Sequence, residues 1–177
     1  PEHQPRRVAA LAGAHVVAVA CGPCTTAALT DLLALYVWGG GEGDDKEGEE
    51  KKEEDDCAAP RMVDALRFQR VSSVSCGGMH TVACCESGEV LAWRTDSSSN
   101  SGDAAPEPVE ALCKQQVVQT SCGAAFAAAV TAGGDVYTWG ADDCGQLGTG
   151  GGSDTSATEQ QQEPVRVDLS PAGGAMG

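Results

Sequence analysis

The sequence predicts an all-β protein in which one small strand-rich unit is repeated three times. A Cys-Gly pair is followed by a tryptophan 17 residues after the cysteine in three places. Each stretch holds short apolar runs around tight connections, and no long amphipathic helix pattern is present. One offset kept through three otherwise diverged segments indicates equivalent structural units. The anchors are Cys21, Gly22 and Trp38, then Cys76, Gly77 and Trp93, then Cys122, Gly123 and Trp139.

Three strands are predicted in each unit, because two apolar runs joined by a short glycine-containing connection are typical of a β-hairpin. In the third unit the connection is Ala132-Gly133-Gly134. The first unit has Asp31-Leu32-Leu33-Ala34 at this place, which lacks glycine but keeps the same register. The expected strands are 16–21, 26–30 and 35–38, then 71–76, 81–85 and 89–93, then 117–122, 126–131 and 135–139.

A fourth strand is expected ahead of each trio. Pro5, Pro60 and Pro106 each stand a few residues before a short run that contains Val and Leu. Proline has no N–H for a sheet ladder, so it suits the start of a strand or an edge strand. Four short antiparallel strands, repeated radially, describe a β-propeller blade. The alternative is a stacked β-solenoid, whose coils usually have a shorter and stricter period.

These motifs together resemble the regulator of chromosome condensation repeat family, whose members form seven-bladed propellers. His80-Thr81 matches the Gly-x-x-His-Thr signature of that family, and Thr25-Thr26 and Phe126-Ala127 stand at the corresponding places of the other units. The histidine is expected to make a structural hydrogen bond between blade strands. The Gly-Gln-Leu-Gly loop of the family follows Trp139, with Gly140, Gly145, Gln146, Leu147 and Gly148 as its repeat anchors.

The number of units predicts an incomplete propeller. A closed propeller needs about four to eight blades, so three units form a segment of a longer propeller or an arc completed by another chain. Residues 162–169 are interpreted as the start of a further blade. The predicted limits are 1–41 for the first blade, 42–56 for an acidic insert, 57–104 for the second blade, 105–152 for the third blade, and 153–177 for a linker and the further blade.

Charge excludes some functions. The net charge of −15 and the scattered basic residues argue against direct nucleic-acid binding, and no apolar run is long enough to span a membrane. Residues 42–56 carry ten acidic and three basic side chains and are expected to form a solvated loop. This loop is either an arm that recognises a basic protein or a tolerated insertion. Its acidic residues are Glu42, Asp44, Asp45, Glu47, Glu49, Glu50, Glu53, Glu54, Asp55 and Asp56.

Three of the nine cysteines, Cys21, Cys76 and Cys122, recur at one repeat position and are interpreted as small buried apolar side chains rather than as part of a disulfide framework. This favours a reducing compartment, the cytosol or the nucleus. Cys21 and Cys24 have the spacing of a thioredoxin redox motif, but they lie between two predicted strands rather than at a helix N-terminus. A thiol oxidoreductase would require fast alkylation of Cys21 near neutral pH. No metal site or other cofactor site is expected.

The leading function is a non-enzymatic scaffold that presents blade loops to protein partners. No set of catalytic residues stands out in the sequence. The family resemblance implies the alternative, a guanine-nucleotide exchange factor for a small Ran-like GTPase, since the founding member has that activity. Light sensing through tryptophans, as in the plant ultraviolet-B receptor of this family, is not expected, because its Gly-Trp-Arg-His-Thr signature is absent.

Overall fold

The predicted all-β architecture is confirmed. A computed structural model of the 177-residue chain describes residues 4–39, 59–78, 80–94, 105–150 and 161–169. In this part of the chain the strands form three four-stranded antiparallel sheets. The first sheet contains β1 (Val16–Cys21), β2 (Thr25–Thr30), β3 (Leu35–Gly39) and β4 (Arg61–Met62).

The other two sheets repeat this arrangement. The second contains β5 (Val71–Cys76), β6 (His80–Cys85), β7 (Val90–Arg94) and β8 (Glu107–Pro108). The third contains β9 (Val117–Cys122), β10 (Phe126–Thr131), β11 (Val136–Gly140) and β12 (Gln161–Arg166). In every sheet the strands are hydrogen bonded in chain order. The nine strands predicted as trios all occur, with ends within one residue of the predicted ends.

The fourth strand was assigned to the wrong sheet. It was expected to lead each trio, but Arg61–Met62 pairs with β3 of the preceding sheet, and Glu107–Pro108 pairs with β7. Residues 161–166 likewise pair with β11 and form the fourth strand of the third sheet. Two-residue strands carry no side-chain period, so the sequence does not indicate which neighbour they join.

The segment that precedes the first strand of each sheet also differs from the expectation. The Val/Leu run after each proline forms a three-residue 3-10 helix rather than a strand, at Ala9–Leu11, Asp64–Leu66 and Glu110–Leu112. Leu66 and Leu112 are buried there at 3% and 0% exposure. Among the described residues these are the helices, and none could cross a membrane.

We call the first strand of each sheet (β1, β5 and β9) its inner strand. All three inner strands contain the same irregularity in pairing. The pairing register shifts between Val16 and Ala18 in β1 and between Val71 and Ser73 in β5. In β9 the shift skips Val118. A bulge therefore recurs four residues before each repeat cysteine and bends the inner strand in the same place.

The sheets pack face to face in chain order. We call the face of a sheet that packs on the next sheet its leading face, and the opposite face its trailing face. One core joins the leading face of the first sheet to the trailing face of the second, and a separate core joins the second sheet to the third. The first core contains Ala27, Leu29, Leu35, Leu66, Val71, Cys76, Ala83, Cys85, Leu91 and Trp93. The second contains Val82, Cys84, Val90, Leu112, Val117, Ala127 and Ala129.

The repeat cysteines differ in burial, which corrects the expectation of one buried thiol in each unit. Cys76 is buried and Cys122 is half-buried, but Cys21 is exposed. Cys21 lies on the trailing face of the first sheet, which no other sheet covers in the described residues. The tryptophans follow a similar order, since Trp93 is buried and Trp38 and Trp139 are half-buried.

Candidate interaction surface

The repeat glycines lie where neighbouring inner strands approach most closely. A Cβ added to Gly77 would stand 2.7 Å from the carbonyl oxygen of Gly123 in the next sheet. A Cβ added to Gly22 would overlap the carbonyl oxygen of Gly77 in the same manner. Any side chain here would push two backbones apart. The Cys-Gly motif is therefore part of the framework that holds the sheets together.

Hydrogen bonds join the second sheet to the third. The N–H of Cys122 donates to Oγ of Ser75 at 2.9 Å, and the Cys122 thiol donates to the Ser75 carbonyl oxygen at 3.4 Å. The N–H of Gly78 donates to the carbonyl oxygen of Ala124 at 2.8 Å. The Cys84 thiol donates to the Val117 carbonyl oxygen at 3.4 Å. These bonds connect the two sheets along one seam.

His80 is a structural residue of the same seam. Its ring packs over Gly77, where an added Cβ would be 2.6 Å from Cε1, and it hydrogen bonds to the backbone of Phe126. Burial lowers the pKa of His80 below its ordinary value of 6.5, and the bond to Phe126 only partly opposes this. Phe126 occupies the equivalent place in the third sheet, with its ring over Gly123. The predicted structural role of the histidine agrees with these contacts.

The cysteines inside the cores are poor nucleophiles. Burial raises the pKa of the Cys85 and Cys122 thiols to about 11, with smaller contributions from neighbouring groups. Burial also raises the pKa of Cys76 and Cys84. Because the thiolate is the reactive form, these side chains stay protonated and unreactive near neutral pH.

Cys21 and Cys24 lie on either side of the tight turn between β1 and β2, as the repeat predicts. The Gly22 N–H donates to the Thr25 carbonyl oxygen at 2.7 Å across this turn. Both thiols are exposed and free. They stand between two strands, so no helix dipole acts on them, and this placement differs from that of a thioredoxin motif. In the described residues no group of three His, Cys, Asp or Glu side chains is placed to hold a metal ion.

The Gly-Gln-Leu-Gly loop after β11 packs against its own sheet. Leu147 is 2% exposed, and its carbonyl oxygen accepts a 2.7 Å hydrogen bond from the Thr138 hydroxyl. The Leu147 N–H donates to the Asp142 carboxylate at 2.9 Å, and Gln146 accepts from the Cys144 N–H at 2.8 Å. Hydrogen bonds within the loop and to Thr138 of β11 therefore hold this loop against its own sheet.

The turns between the second and third strands of the sheets lie at one edge, which we call the hairpin side. At this edge each of these turns is hydrogen bonded to the turn that precedes the first strand of the same sheet. The N–H of Glu86 donates to the Arg70 carbonyl oxygen, and the N–H of Asp31 donates to the His15 carbonyl oxygen. Both turns of a sheet therefore lie at the same end.

Two large apolar side chains protrude from the hairpin side. Phe68 is 94% exposed and Leu32 is 86% exposed. The positions equivalent to Phe68 in the other units are Gly13 and Lys114, so the framework does not require an aromatic residue there. Sequence reasoning did not single out Phe68. Alignment of the three units could have revealed it, because this turn position is glycine or lysine in the other units and aromatic only here.

The turn that carries Phe68 is fixed by an ion pair. Nε of Arg70 lies 2.5 Å from Oε2 of Glu86, and a second guanidinium nitrogen lies 3.3 Å from Oε1. This hydrogen bond to Arg70 lowers the pKa of the Glu86 carboxyl. Because the two turns are joined by a forked ion pair and a backbone bond, Phe68 projects from an ordered base.

Two predicted loops cannot be placed. The acidic residues 42–56 and the Ser-rich segment after Trp93 lie outside the described residues. Trp38 and Trp93, which precede them, lie at the edge opposite the hairpin side, where the Cys-Gly turns between the first and second strands also lie.

Three four-stranded antiparallel sheets, packed face to face along a row of inner strands, define a set of β-propeller blades. Two sequence models of the regulator of chromosome condensation (RCC1) repeat match the chain, over residues 117–146 and 133–173. Residues 117–173 therefore contain RCC1-type repeat sequence, the family that the motifs resemble.

Known relatives are similar over about half of the chain. It is 34% identical over 99 residues to the human E3 ubiquitin-protein ligase HERC2, covering 56% of this chain and 2% of that protein. It is also 34% identical over 92 residues to the mouse secretion-regulating guanine nucleotide exchange factor, covering 51% of this chain and 19% of that protein. The chain thus spans less than a fifth of the length of either relative.

The fold is also found among solved structures. The crystal structure of Prp20p from Saccharomyces cerevisiae matches with a TM-score of 0.64 and 16% identity, covering 90% of this chain and 40% of that one. At this identity the match establishes the fold, and this chain corresponds to a minority of the Prp20p propeller.

Proposed function

We propose that the chain is a non-enzymatic scaffold that binds a protein partner through its hairpin side, with Phe68 as the central contact. The observation that carries this proposal is the 94% exposure of Phe68 on an ordered turn. Aromatic residues, together with arginines, are the side chains that most often dominate binding energy at protein interfaces. The proposal concerns recognition, because His80 and the buried thiols of Cys76, Cys84 and Cys85 are engaged in packing the sheets.

The chemistry of the surface defines the partner. Phe68 stands beside the exposed Arg67, and the exposed Leu32 lies on the adjoining sheet at the same edge. A partner with an apolar pocket bordered by carboxylates would match both features. The Arg70–Glu86 pair is already formed, which lowers the cost of ordering the turn on binding.

A second contact is proposed for the acidic residues 42–56 on sequence alone. Their ten carboxylates would attract a basic protein surface, such as a histone tail. The solved Prp20p structure is described together with its binding properties to Gsp1p and histones, which makes these two proteins suitable probes. A reducing compartment, the cytosol or the nucleus, fits the eight free thiols in the described part of the chain.

The first experiment measures binding of the purified chain to Gsp1p and to core histones by biolayer interferometry. We expect Phe68→Ala to weaken the interaction with the partner by about 30-fold, the size typical of a central aromatic contact. Lys114→Ala is the matched control, since Lys114 is the exposed residue at the same position of the next turn. Equal effects of the two substitutions, or no binding to either probe, would overturn the proposal.

The acidic segment is tested separately. Replacing the ten acidic residues of 42–56 by Gln and Asn should abolish binding to histones and remove its salt dependence, because exposed charges interact through screened forces. Binding to Gsp1p should not change. If histone binding survives the replacement, the segment is a surface insertion.

An exchange factor is the second candidate function, favoured by the similarity to the mouse exchange factor. Release of a fluorescent guanine nucleotide from Gsp1p distinguishes the two. A scaffold leaves the release rate unchanged even when it binds, whereas an exchange factor accelerates release at substoichiometric concentration. Acceleration would replace the scaffold by the exchange factor.

A further inference from the structure

Two buried hydroxyl groups face each other across the second junction, which lies between the second and third sheets. The side-chain oxygens of Ser73 and Thr120 are shielded from solvent and have no hydrogen-bond partner among the described residues. Ser73 pairs with Cys84, and Thr120 pairs with Ala129. Cys84 and Ala129 both belong to the core of this junction, so the two hydroxyls lie on the two faces that meet there.

The hydrogen bonds of the seam place the two hydroxyls opposite each other. Both inner strands run in the same direction, from the hairpin side to the Cys-Gly turn. The Cys122 N–H donates to Oγ of Ser75 at 2.9 Å, which fixes the alignment of β5 with β9. Ser73 and Thr120 each stand two residues earlier on their strand, and residues two apart share a face. They therefore occupy the next layer of the same junction.

The first junction has a different pair at these positions. Ala18 stands where the second sheet has Ser73, and Val74 stands where the third sheet has Thr120. Both pack against the first core, and neither has a polar side-chain atom. The two positions thus change together between the junctions, from an apolar pair to a hydroxyl pair. Since burying a hydroxyl without a partner is unfavourable, two such groups in one layer indicate a shared partner.

The layer of the second junction also has more room. In the first sheet Leu29 pairs with Ala18, and in the second sheet Cys84 pairs with Ser73. Leucine has two more side-chain heavy atoms than cysteine, whereas serine has only one more than alanine. The facing valine and threonine are equal in this respect, and each pairs with an alanine. The layer therefore has one side-chain heavy atom fewer at the second junction, and a single water oxygen would fill the difference.

We propose that the second junction contains a binding site for one internal water molecule, held between the hydroxyls of Ser73 and Thr120. A buried water needs polar partners and a space of its own size, and this layer supplies both. Because a hydroxyl both donates and accepts, the water donates to one oxygen and accepts from the other, or donates to both. The bridge lies in line with the Ser75–Cys122 bond and extends the seam by one layer.

The site also restricts which sheets can be neighbours. A sheet with valine at the position of Thr120, as the second sheet has at Val74, would leave Ser73 and its water with one partner fewer. A sheet with alanine at the position of Ser73, as the first sheet has at Ala18, would do the same to Thr120. The second and third sheets therefore match each other, and any exchange of neighbours is disfavoured.

The number of long-lived internal waters is measured by oxygen-17 magnetic relaxation dispersion of the purified chain. Ser73→Ala and Thr120→Val together copy the pair of the first junction. We expect this double variant to lose the dispersion amplitude of one water molecule. Ser121→Ala removes an exposed hydroxyl from the same strand as Thr120 and should leave the amplitude unchanged. Equal amplitudes for the double variant and the unchanged chain would overturn the proposal.

Urea unfolding of the two single variants and the double variant gives an independent readout. Each single substitution should reduce the folding equilibrium constant by about tenfold, because it leaves the water and the other hydroxyl short of a partner. The second substitution should then have a much smaller effect, since the shared bridge is already broken. Strictly additive losses would contradict a shared water.

Transplanting the site to the first junction keeps the test decisive if the double variant fails to fold. Ala18→Ser, Leu29→Cys and Val74→Thr reproduce the hydroxyl pair and its space between the first and second sheets. This triple variant should gain the amplitude of one long-lived water, and circular dichroism checks that its strands remain folded. A folded triple variant without this gain would show that the hydroxyl pair does not bind water.

Discussion

The two junctions between the sheets use different chemistry at equivalent positions. At the second junction, Ser75, Gly78 and Cys84 each donate or accept a hydrogen bond across the seam. At the first junction the same positions hold Ala20, Pro23 and Leu29. Ala20 and Leu29 have no polar side-chain atom, and Pro23 has no N–H. The first junction therefore depends on apolar burial where the second adds directed bonds.

The features that the two junctions share are those that stacking of the sheets requires. Both junctions keep the glycine contact and an apolar core, so close backbone approach and burial suffice to stack two sheets. The hydrogen bonds of the second junction fix the relative position of the sheets more tightly, because they are directional. We expect the first junction to be the softer of the two.

The largest effect is expected from filling the glycine contact. Gly77→Ala forces a methyl group against the Gly123 carbonyl oxygen and the His80 ring. Such overpacking destabilises a protein by about 1–3 kcal/mol. Urea unfolding followed by tryptophan fluorescence measures the change. Gly133→Ala is the control, with its nearest atom 3.7 Å away, and should have no measurable cost. Equal midpoints for both variants would contradict the assigned contact.

Removing a hydrogen bond of the second junction should cost less. Ser75→Ala removes the acceptor of the half-buried Cys122 N–H, and a hydrogen bond of this kind contributes about 0.5–1.5 kcal/mol to stability. Ser121→Ala changes the exposed serine at the same repeat position of the third sheet and should be nearly neutral. Thermal unfolding of the two variants side by side provides the measurement. A larger loss for Ser121→Ala would reverse the comparison.

Acid should weaken the second junction. The folded chain binds a proton at His80 less readily than the unfolded chain, since burial lowers the pKa from 6.5. Between the lowered pKa and 6.5 the unfolded state carries more protons, so the free energy of unfolding decreases as the pH falls below 6.5. His80→Phe, which copies Phe126, should remove this part of the pH dependence. The slope of unfolding free energy between pH 5 and pH 7 is the measured quantity.

The first junction should gain from a serine. Ala20→Ser introduces the acceptor that Ser75 supplies at the second junction, opposite the N–H of Cys76. A new hydrogen bond contributes about 1 kcal/mol at most in this setting. Thr26→Ser on the neighbouring strand is the control and should give no gain in stability. Cys76→Pro would remove the donor, but a proline at this buried strand position would also threaten the fold. A destabilised Ala20→Ser variant would show that the first junction has no room for the bond.

The smallest effect concerns the hairpin turn of the first sheet. Leu33 has φ of 63°, where the equivalent residues are Gly88 at 85° and Gly134 at 86°. A positive φ costs a residue with a bulky side chain about 1–2 kcal/mol. Glycine avoids this cost but loses more backbone entropy on folding, which offsets part of the gain. Leu33→Gly should therefore stabilise by about 0.5 kcal/mol. Gly134→Ala, with no atom within 4 Å of the new Cβ, should destabilise through the backbone alone.

Much of this fold could be predicted from the sequence, because the repeat contains its own alignment. The offset from Cys21 to Trp38 recurs at Cys76 and Cys122, so each hairpin and its register could be assigned from any other. Even the turn of Asp31 to Ala34, which lacks glycine, keeps that register, and Leu33 adopts the glycine conformation.

The remaining features depend on contacts that no single segment specifies. Arg61–Met62 is too short to show a face, so its partner strand is decided by where the chain returns after Trp38. The exposure of Cys21 depends on whether another sheet covers it, which its own segment does not encode. Phe68 was missed because a single exposed aromatic residue in a turn has no period to reveal it.

The closing strand of each sheet has a consequence for how the chain is made. Residues 61–62 complete the first sheet, and eight residues separate them from the start of the second inner strand at Val71. As the chain leaves the ribosome, the first sheet has only three strands until residues 61–62, which lead into the second sheet, have emerged. During synthesis the first and second sheets can therefore be completed only after the segment that leads into the next sheet has emerged. Gene duplication that adds a whole blade must cut between the third and fourth strands, at the loop after each tryptophan, if every sheet is to keep its closing strand.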